Sequence, residues 1–439
     1  MQKVKKYFPQ NAALLLLAML FFGLMQSAIA QNLPEVWDLK TCIAYAKQNN
    51  ININTLRLNA SSEKENVSLS KNARYPDLNG SVSASSSYSD NNLSNVTSYG
   101  INSSVVLFNG NYYNNDIKAS EMSYEAANLD VSAAENDITL EITQAYLNIL
   151  LSNENIEYVK DLVATSESQV KQYQEMYDAG SVALKDLLQL QATLANDKYS
   201  LVAAENTKRQ NLLALKTILQ LPASTTLEIA IPDEVSTDIL TASLDSVQRY
   251  ALQTMPQIQS SELLVNKQNV ELSKAKAGYW PSLSLNAGIS NSYSSDAKYA
   301  YFHQLSDNYI PQAGLTLSIP IYNRKSNSIQ VAKSKIQLEQ AKLAADNEKT
   351  TLMQTVEQAY IDVQNAKSQL AAADEQLNFA KESFRISSEQ LKLGTNNNVE
   401  YLQQKNVYVQ ALQQFIQAKY SLVLYGKIFN FYNGIPVAL

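Results

Sequence analysis

The sequence predicts an α+β membrane protein made by internal tandem duplication, each copy carrying two strands and one very long helix. Three observations predict it. Segments near Leu78 and Leu283 alternate apolar and small polar residues with a period of two, as a strand with unlike faces does. Apolar residues then recur every seven positions through stretches that contain no Pro or Gly, 111–179 and 321–393. The whole pattern occurs twice. At an offset of 205, Leu39 falls on Leu244, Tyr45 on Tyr250, Pro76 on Pro281 and Tyr88 on Tyr293. Beyond the strands the offset becomes 214, and Gly100 falls on Gly314, Asn109 on Asn323, Tyr146 on Tyr360 and Gly180 on Gly394.

The chain opens with Lys3, Lys5 and Lys6, an apolar core over 12–24 and the small-x-small site Ala28-Ile29-Ala30. This is the pattern of a secretory signal peptide over 1–30, too short in its core for a comfortable membrane span. Without Lys3, Lys5 and Lys6, the 35 basic residues become 32 against 41 acidic ones, a net charge of −9. That balance argues against a nucleic-acid partner. The only cysteine is Cys42 and the only histidine is His303. No intrachain disulfide, cysteine zinc site or histidine-based triad is possible, and no cofactor or enzyme activity is expected. Cys42 is expected in the core, and His303 in an outer loop as an ordinary polar residue. Trp37 and Trp280 are expected to pack structurally, Trp280 at the membrane edge.

The first repeat spans 31–221. Its strands are expected at about 77–89 and 99–108, joined by a polar loop. Leu78, Val82, Ala84 and Tyr88 mark one face and Asn79, Ser81, Ser83 and Ser85 the other, small and uncharged as suits a wet lumen. A long helix follows at about 112–178. Its seams read Ile117, Tyr124, Val131, Ile138, Ala145, Ser152, Val159, Ser166, Tyr173 and, four residues on, Ile142, Ile149, Ile156, Val163, Val170, Tyr177. At ~1.5 Å per residue such a helix is a rod of roughly 100 Å. Gly180 suits a left-handed helix C-cap, and a return helix at about 184–219 can pack on the rod through Leu187, Leu190, Leu194 and Leu201.

A linker covers 222–243, and the second repeat covers 244–439. Its strands are expected at about 282–294 and 312–321, with loop 295–309 between them; Tyr293, Tyr299, Tyr301 and Tyr309 suggest an aromatic girdle. Its rod is expected at about 325–392, its turn at Gly394 and its return helix at about 399–428. Strand passes to helix through Asn109 and Gly110 in the first copy and through Pro320, Tyr322 and Asn323 in the second. Pro320 cannot donate to a ladder and belongs where pairing stops. Arg324 and Lys325 would then open the rod.

No stretch after the leader approaches 18 consecutive apolar residues, so a membrane crossing would have to be a closed barrel. Four strands cannot close one; about eight is the practical minimum. Several chains must contribute.

The strand "LTLSIPIYN" running into a long heptad, "WDLKTCIAYAKQNN" before the first unit, "ARYPDL" and "AGYWPSL" before the strand pairs, and a Gly turn at each helical tip resemble the outer membrane efflux proteins, the TolC-like outer-membrane factors. The resemblance covers the repeats in full and is greatest to members from the Bacteroidetes. It implies a homotrimer: a 12-stranded barrel in the outer membrane, four strands per chain, continued by a helical coiled-coil tunnel through the periplasm. It implies a passive exit duct served by a periplasmic adaptor and an inner-membrane transporter of the RND or ABC type. It also implies a gate of acidic and polar side chains just past each tip. Here these are Lys185 and Asp186 after Gly180, and Glu400 and Gln403 after Gly394. A trimer would turn each position into a ring of three, and carboxylate rings attract cations and narrow a pore. The competing reading is plain helix-start carboxylates stabilised by the macrodipole. Asn396 stands where the family often has a basic residue, and Gln403 where some members have a carboxylate. Ala179, Gly180, Ser181, Val182, Leu393, Gly394 and Thr395 would form the adaptor-docking tips, unless the glycines serve only the caps. A different class of function, a periplasmic coiled-coil adaptor or scaffold without a pore, is disfavoured by the duplicated strand pairs and hairpins.

Overall fold

The computed structural model describes residues 36–89, 92–222, 224–232, 242–393, 395 and 397–438. The expected leader, Gly394, Asn396 and linker positions 233–241 lie outside them. The elements in chain order are α1 (Leu39–Asn49), α2 (Ile51–Asn72), β1 (Asn79–Ser89), β2 (Asn92–Phe108), α3 (Tyr112–Asp178) and α4 (Leu184–Leu219). The second half gives α5 (Leu244–Thr254), α6 (Pro256–Ala277), β3 (Ser282–Ser294), α7 (Tyr301–Asp307), β4 (Ile310–Ser318), α8 (Ser326–Lys392) and α9 (Asn398–Tyr432). No helix among the described residues is long and apolar enough to cross a membrane.

Each rod, α3 and α8, has 67 residues, about 100 Å of helix at 1.5 Å per residue. The seams explain why rods this long hold. Ile117, Val131, Ala145, Val159, Ser166 and Tyr173 of α3 are buried, as are Leu338, Ala345, Leu352, Ala359, Ala366, Ala373 and Ala380 of α8. Rod and return helix pack as an antiparallel hairpin in each repeat, and α9 also lies along α3, so the hairpins adjoin. The largest core is equatorial: Ile142, Tyr146, Ile149 and Leu150 of α3 meet Trp37, Cys42, Leu215, Leu219, Ile416 and Tyr420. Trp37 pairs with Ile229 in a parallel bridge, and the Tyr146 hydroxyl donates to the Ala230 carbonyl at 2.5 Å.

The strands form one antiparallel sheet in the order β1-β2-β3-β4. The central pairing, β2 with β3, joins the two repeats. The register keeps the two faces distinct. Val82, Tyr99, Asn291, Ile101, Ile289, Leu285 and Leu315 share one face through direct pairings. Ser83, Ser98, Ser292, Asn102, Gly288 and Gln312 share the other. Val82, Ile101, Ile289, Leu315 and Leu317 are all exposed, so at these positions the apolar face is uncovered within the chain. The polar face forms a hollow lined by Asn79, Asn102, Ser104, Asn286, Gln312 and Thr316; its strand residues are uncharged, and the one carboxylate at its rim, Asp77, accepts from the N–H and hydroxyl of Ser104.

Several bounds differ from expectation. β2 begins at Asn92 rather than 99: the supposed loop pairs with β1 from Leu93↔Tyr88 to Tyr99↔Val82. A lumenal strand is rich in Ser and Asn, so its composition reads as loop. β4 covers 310–318 rather than 312–321. Its partner β3 starts at Ser282, straight after Pro281, leaving Ile319 to Ile321 nothing to pair with. The connection at 295–309 contains α7, and α9 extends to Tyr432 rather than 428.

Candidate tunnel tips, gate and hinges

The periplasmic tips share their closing bonds among the described residues. After α3, the Gly180 N–H donates to the Tyr177 carbonyl at 2.8 Å and the Ser181 N–H to the Met176 carbonyl at 2.9 Å. This is a Schellman cap, and Gly180 takes the φ of +75° that it requires. After α8, the Thr395 N–H donates to the Gln390 carbonyl at 3.0 Å, the same bond 214 residues on. The hydroxyls follow suit, Ser181 Oγ to Met176 at 2.7 Å and Thr395 Oγ1 to Gln390 at 3.1 Å. Ala179, Gly180, Ser181, Leu393 and Thr395 are exposed and Val182 is half-buried. Val182, Leu391 and Leu402 pack around Tyr173, Leu187 and Leu190, so the two tips share one apolar cluster.

The four gate candidates lie within the first two turns of adjoining helices. Lys185 and Asp186 open α4; Glu400 and Gln403 open α9, where Asn397 Oδ1 accepts from the Glu400 N–H at 2.8 Å. Asn398 Nδ2 reaches the Asp186 carbonyl at 3.4 Å, which brings the two starts side by side. Lys185, Glu400 and Gln403 are exposed and Asp186 is half-buried. Burial, with the charge of Asp186 second, raises the Tyr173 hydroxyl above its ordinary range.

A second polar group, absent from the sequence reading, ties the hairpins further up. Lys405 of α9 is 2% exposed and Asp197 of α4 is 5% exposed. Lys405 Nζ donates to Asp197 Oδ2 at 2.7 Å and to Ser166 Oγ of α3 at 2.7 Å; Ser166 Oγ donates to Asp197 Oδ2 at 2.5 Å. One turn before, Gln169 Nε2 donates to the hydroxyl of Tyr401, which burial pushes up to about 12. Asp197 falls on the heptad row of Leu187, Leu190, Leu194 and Leu201, and Lys405 lies one turn from Tyr401 and Tyr408. An ionisable residue at an apolar seam position was the available signal.

The strand-to-helix hinges share one backbone. Asn109 O accepts from the Tyr112 N–H at 3.2 Å, and Asn323 O from the Ser326 N–H at 3.1 Å. Between them stand two consecutive left-handed residues, Gly110 (φ +65°) and Asn111 (+66°) in one copy, Arg324 (+55°) and Lys325 (+64°) in the other. Arg324 and Lys325 therefore form the bend instead of opening the rod, which starts at Ser326. Pro320 and Tyr322 are exposed in the segment between β4 and this bend. Gly110 has a further reason: a Cβ there would lie 2.7 Å from Cβ of Trp280. Trp280 itself is 62% exposed.

Cys42 is wholly buried, and burial pushes its thiol up to about 12, so it is a packing residue. His303 lies on α7, paired with Asp307 at 2.9 Å. No group of three or more His, Cys, Asp or Glu able to hold a metal occurs among the described residues.

Comparison with known proteins gives one direction throughout. The outer membrane efflux protein family matches residues 42–220 and again 248–424, once in each repeat. Outer membrane efflux protein BepC of Brucella suis is 23% identical over 94% of this chain and 87% of its own. Outer membrane protein TolC of Vibrio cholerae is 25% identical over 92% of this chain and 90% of its own. The solved Campylobacter jejuni CmeC outer membrane channel superposes with a TM-score of 0.76 at 19% identity, covering 90% of this chain and 86% of that one. These relatives are transport proteins rather than enzymes. With the family matched in both halves, over most of the chain, the protein belongs to the outer membrane efflux protein family and is an outer-membrane efflux channel.

Proposed function

We propose that three copies close their sheets into one 12-stranded barrel and their hairpins into one periplasmic tunnel, forming the exit duct of a tripartite efflux or type I secretion assembly. The four-stranded sheet carries this reading. It has an apolar face outside, a neutral polar face inside, and outer edges on β1 and β4 with no strand partner among the described residues. Such edges are not tolerated in lipid, and further copies supply their partners. The repeat supports closure between copies by the same logic: α6 packs on both rods, α3 and α8, whereas α2 packs on α3 and, among the described residues, not on α8. The exposed Ile51, Leu58 and Leu69 of α2 and Ile329, Ile336 and Leu343 of α8 then become the two sides of a joint between copies. Outer-membrane fractionation with cross-linking tests it. A heat-modifiable trimer in the outer membrane is expected; a soluble periplasmic monomer, as a pore-free adaptor would be, overturns it.

Cargo arrives through a periplasmic adaptor docked on the exposed caps, Ala179 to Val182 on one hairpin and Leu393 to Thr395 on the other, and an RND or ABC-type inner-membrane transporter supplies the energy. Asp186 and Glu400, with Lys185 and Gln403 beside them, form the constriction. Replacing both carboxylates (Asp186→Ala with Glu400→Ala) raises single-channel conductance in a planar bilayer; unchanged conductance removes them from the gate.

A further inference from the structure

Between the repeat-related positions Tyr88 to Gly100 and Tyr293 to Gly314 the second copy is nine residues longer, and its β3–β4 connection, 295–309, contains α7. β4 begins at Ile310 opposite Ser290, so Asn291 to Ser294 of β3 have no strand beside them on that side among the described residues. α7 takes the missing place. Gln304, 4% exposed, accepts from the Ser294 N–H at 3.0 Å and donates to the carbonyls of Ser294 at 3.1 Å and Tyr299 at 2.6 Å. Asn308 Nδ2 donates to the Ser292 carbonyl at 3.1 Å. The side-chain amides thus satisfy a strand edge that β4 does not reach.

The side of the sheet on which α7 lies is fixed by three contacts. The Tyr301 and Tyr99 hydroxyls hydrogen-bond at 2.6 Å, the Tyr301 ring packs edge-on against Tyr293 with centroids 4.9 Å apart, and Asn291 Nδ2 donates to the Leu305 carbonyl at 2.6 Å. Tyr99, Asn291 and Tyr293 all belong to the apolar face. The loop therefore folds back over the outside of the barrel, not across its mouth. Phe302 and Tyr299, 82% and 65% exposed, add apolar surface beside the face that carries Leu93 and Ile289, with the Tyr299 ring against His303.

We infer that α7 is an interfacial helix lying in the headgroup boundary of the outer leaflet, with Phe302 and Tyr299 entering lipid. The inference rests on the reading that the sheet's apolar face meets the bilayer. The surface is continuous with that face, its rings carry the apolar body and wet rim that favour an interface, and the carbonyls of Ser292, Ser294, Tyr299 and Leu305 beneath it are satisfied by side-chain amides.

Site-directed spin labelling tests it in the full chain reconstituted into liposomes, in a Cys42→Ala background. Labels are placed at Phe302→Cys, at Tyr299→Cys and, on the bare sheet face, at Leu315→Cys. The expected result is that oxygen relaxes all three more than a water-soluble nickel chelate does, with 299 and 302 shallower than 315. If 315 favours oxygen while 299 and 302 favour nickel, the barrel reading stands and the interfacial helix is wrong. If all three favour nickel, the apolar face does not meet lipid and the inference falls with it.

Discussion

The two halves of the molecule follow the same path with different chemistry at the joints. α1 and α5, α2 and α6, α3 and α8 start and end at equivalent positions. The bond from Ser181 N–H to Met176 at the first tip recurs as Thr395 N–H to Gln390, and the Asn–amide bonds at the hinges recur likewise, 214 residues apart. Where α9 lies against the first hairpin, however, the joint is a buried Lys405–Asp197–Ser166 cluster. The positions 214 residues before, or after, hold Gln191, Ala411 and Ala380. A duplicated backbone needs only the periodic apolar seam and the caps. Side chains at one joint are then free to diverge: Lys405 is buried between the hairpins of the chain, whereas Gln191 is exposed.

The largest effect that sharpens this contrast comes from the buried pair. Lys405→Met leaves Asp197 buried without its cation and costs ~3–5 kcal/mol, whereas Lys405→Met with Asp197→Leu recovers most of it. Gln191→Met, at the repeat-related and exposed position, stays within about 0.5 kcal/mol. The midpoint of urea-dependent loss of helical signal in detergent reads all three; equal effects of the two single changes would erase the asymmetry.

The hinges give the next effect, with opposite signs in the two copies. Gly110→Ala forces a Cβ against Trp280 at a left-handed φ and costs ~1–3 kcal/mol. Arg324→Gly relieves a left-handed position that now carries a side chain and gains about 1 kcal/mol. The same urea midpoint distinguishes them, and shifts of one sign would show that the hinges are not backbone equivalents in energy.

The smallest effect is alkaline. Tyr401 is held at about 12 by burial, above the ~10 of an exposed tyrosine, while its repeat counterpart Leu187 does not titrate. A folded value above the unfolded one stabilises fully below pH ~10 and is lost as pH rises through 12. Tyr401→Phe therefore flattens the fall in stability between those limits, measured against the parent chain. An identical pH profile would remove Tyr401 from the account.

The rods were legible because a seven-residue pattern sustained over 67 residues has no other explanation. β2 was half-missed because Ser94 and Ser98 serve a wet strand face, and with Asn92 and Asn95 beside them the stretch resembles a loop. The second hinge was misplaced because nothing in Arg324 and Lys325 announces a left-handed bend, while Gly110 does. Asp197 and Lys405 each stood on an apolar row, but with 208 residues between them only the fold could pair them. The carboxylates at 186 and 400 were legible as helix-start acids; their adjacency came from Asn398 reaching Asp186.

The β2–β3 pairing has a consequence for biogenesis. Thr97 meets Tyr293 across the repeat, so the centre of the sheet closes a loop nearly half the chain long. Helical hairpins are local in sequence and form fast; a ladder of this contact order forms slowly. The first rod can thus be complete while β1 and β2 still lack β3. The sheet is the last part of each copy to finish, and until then its open edges are free to pair with the wrong chain.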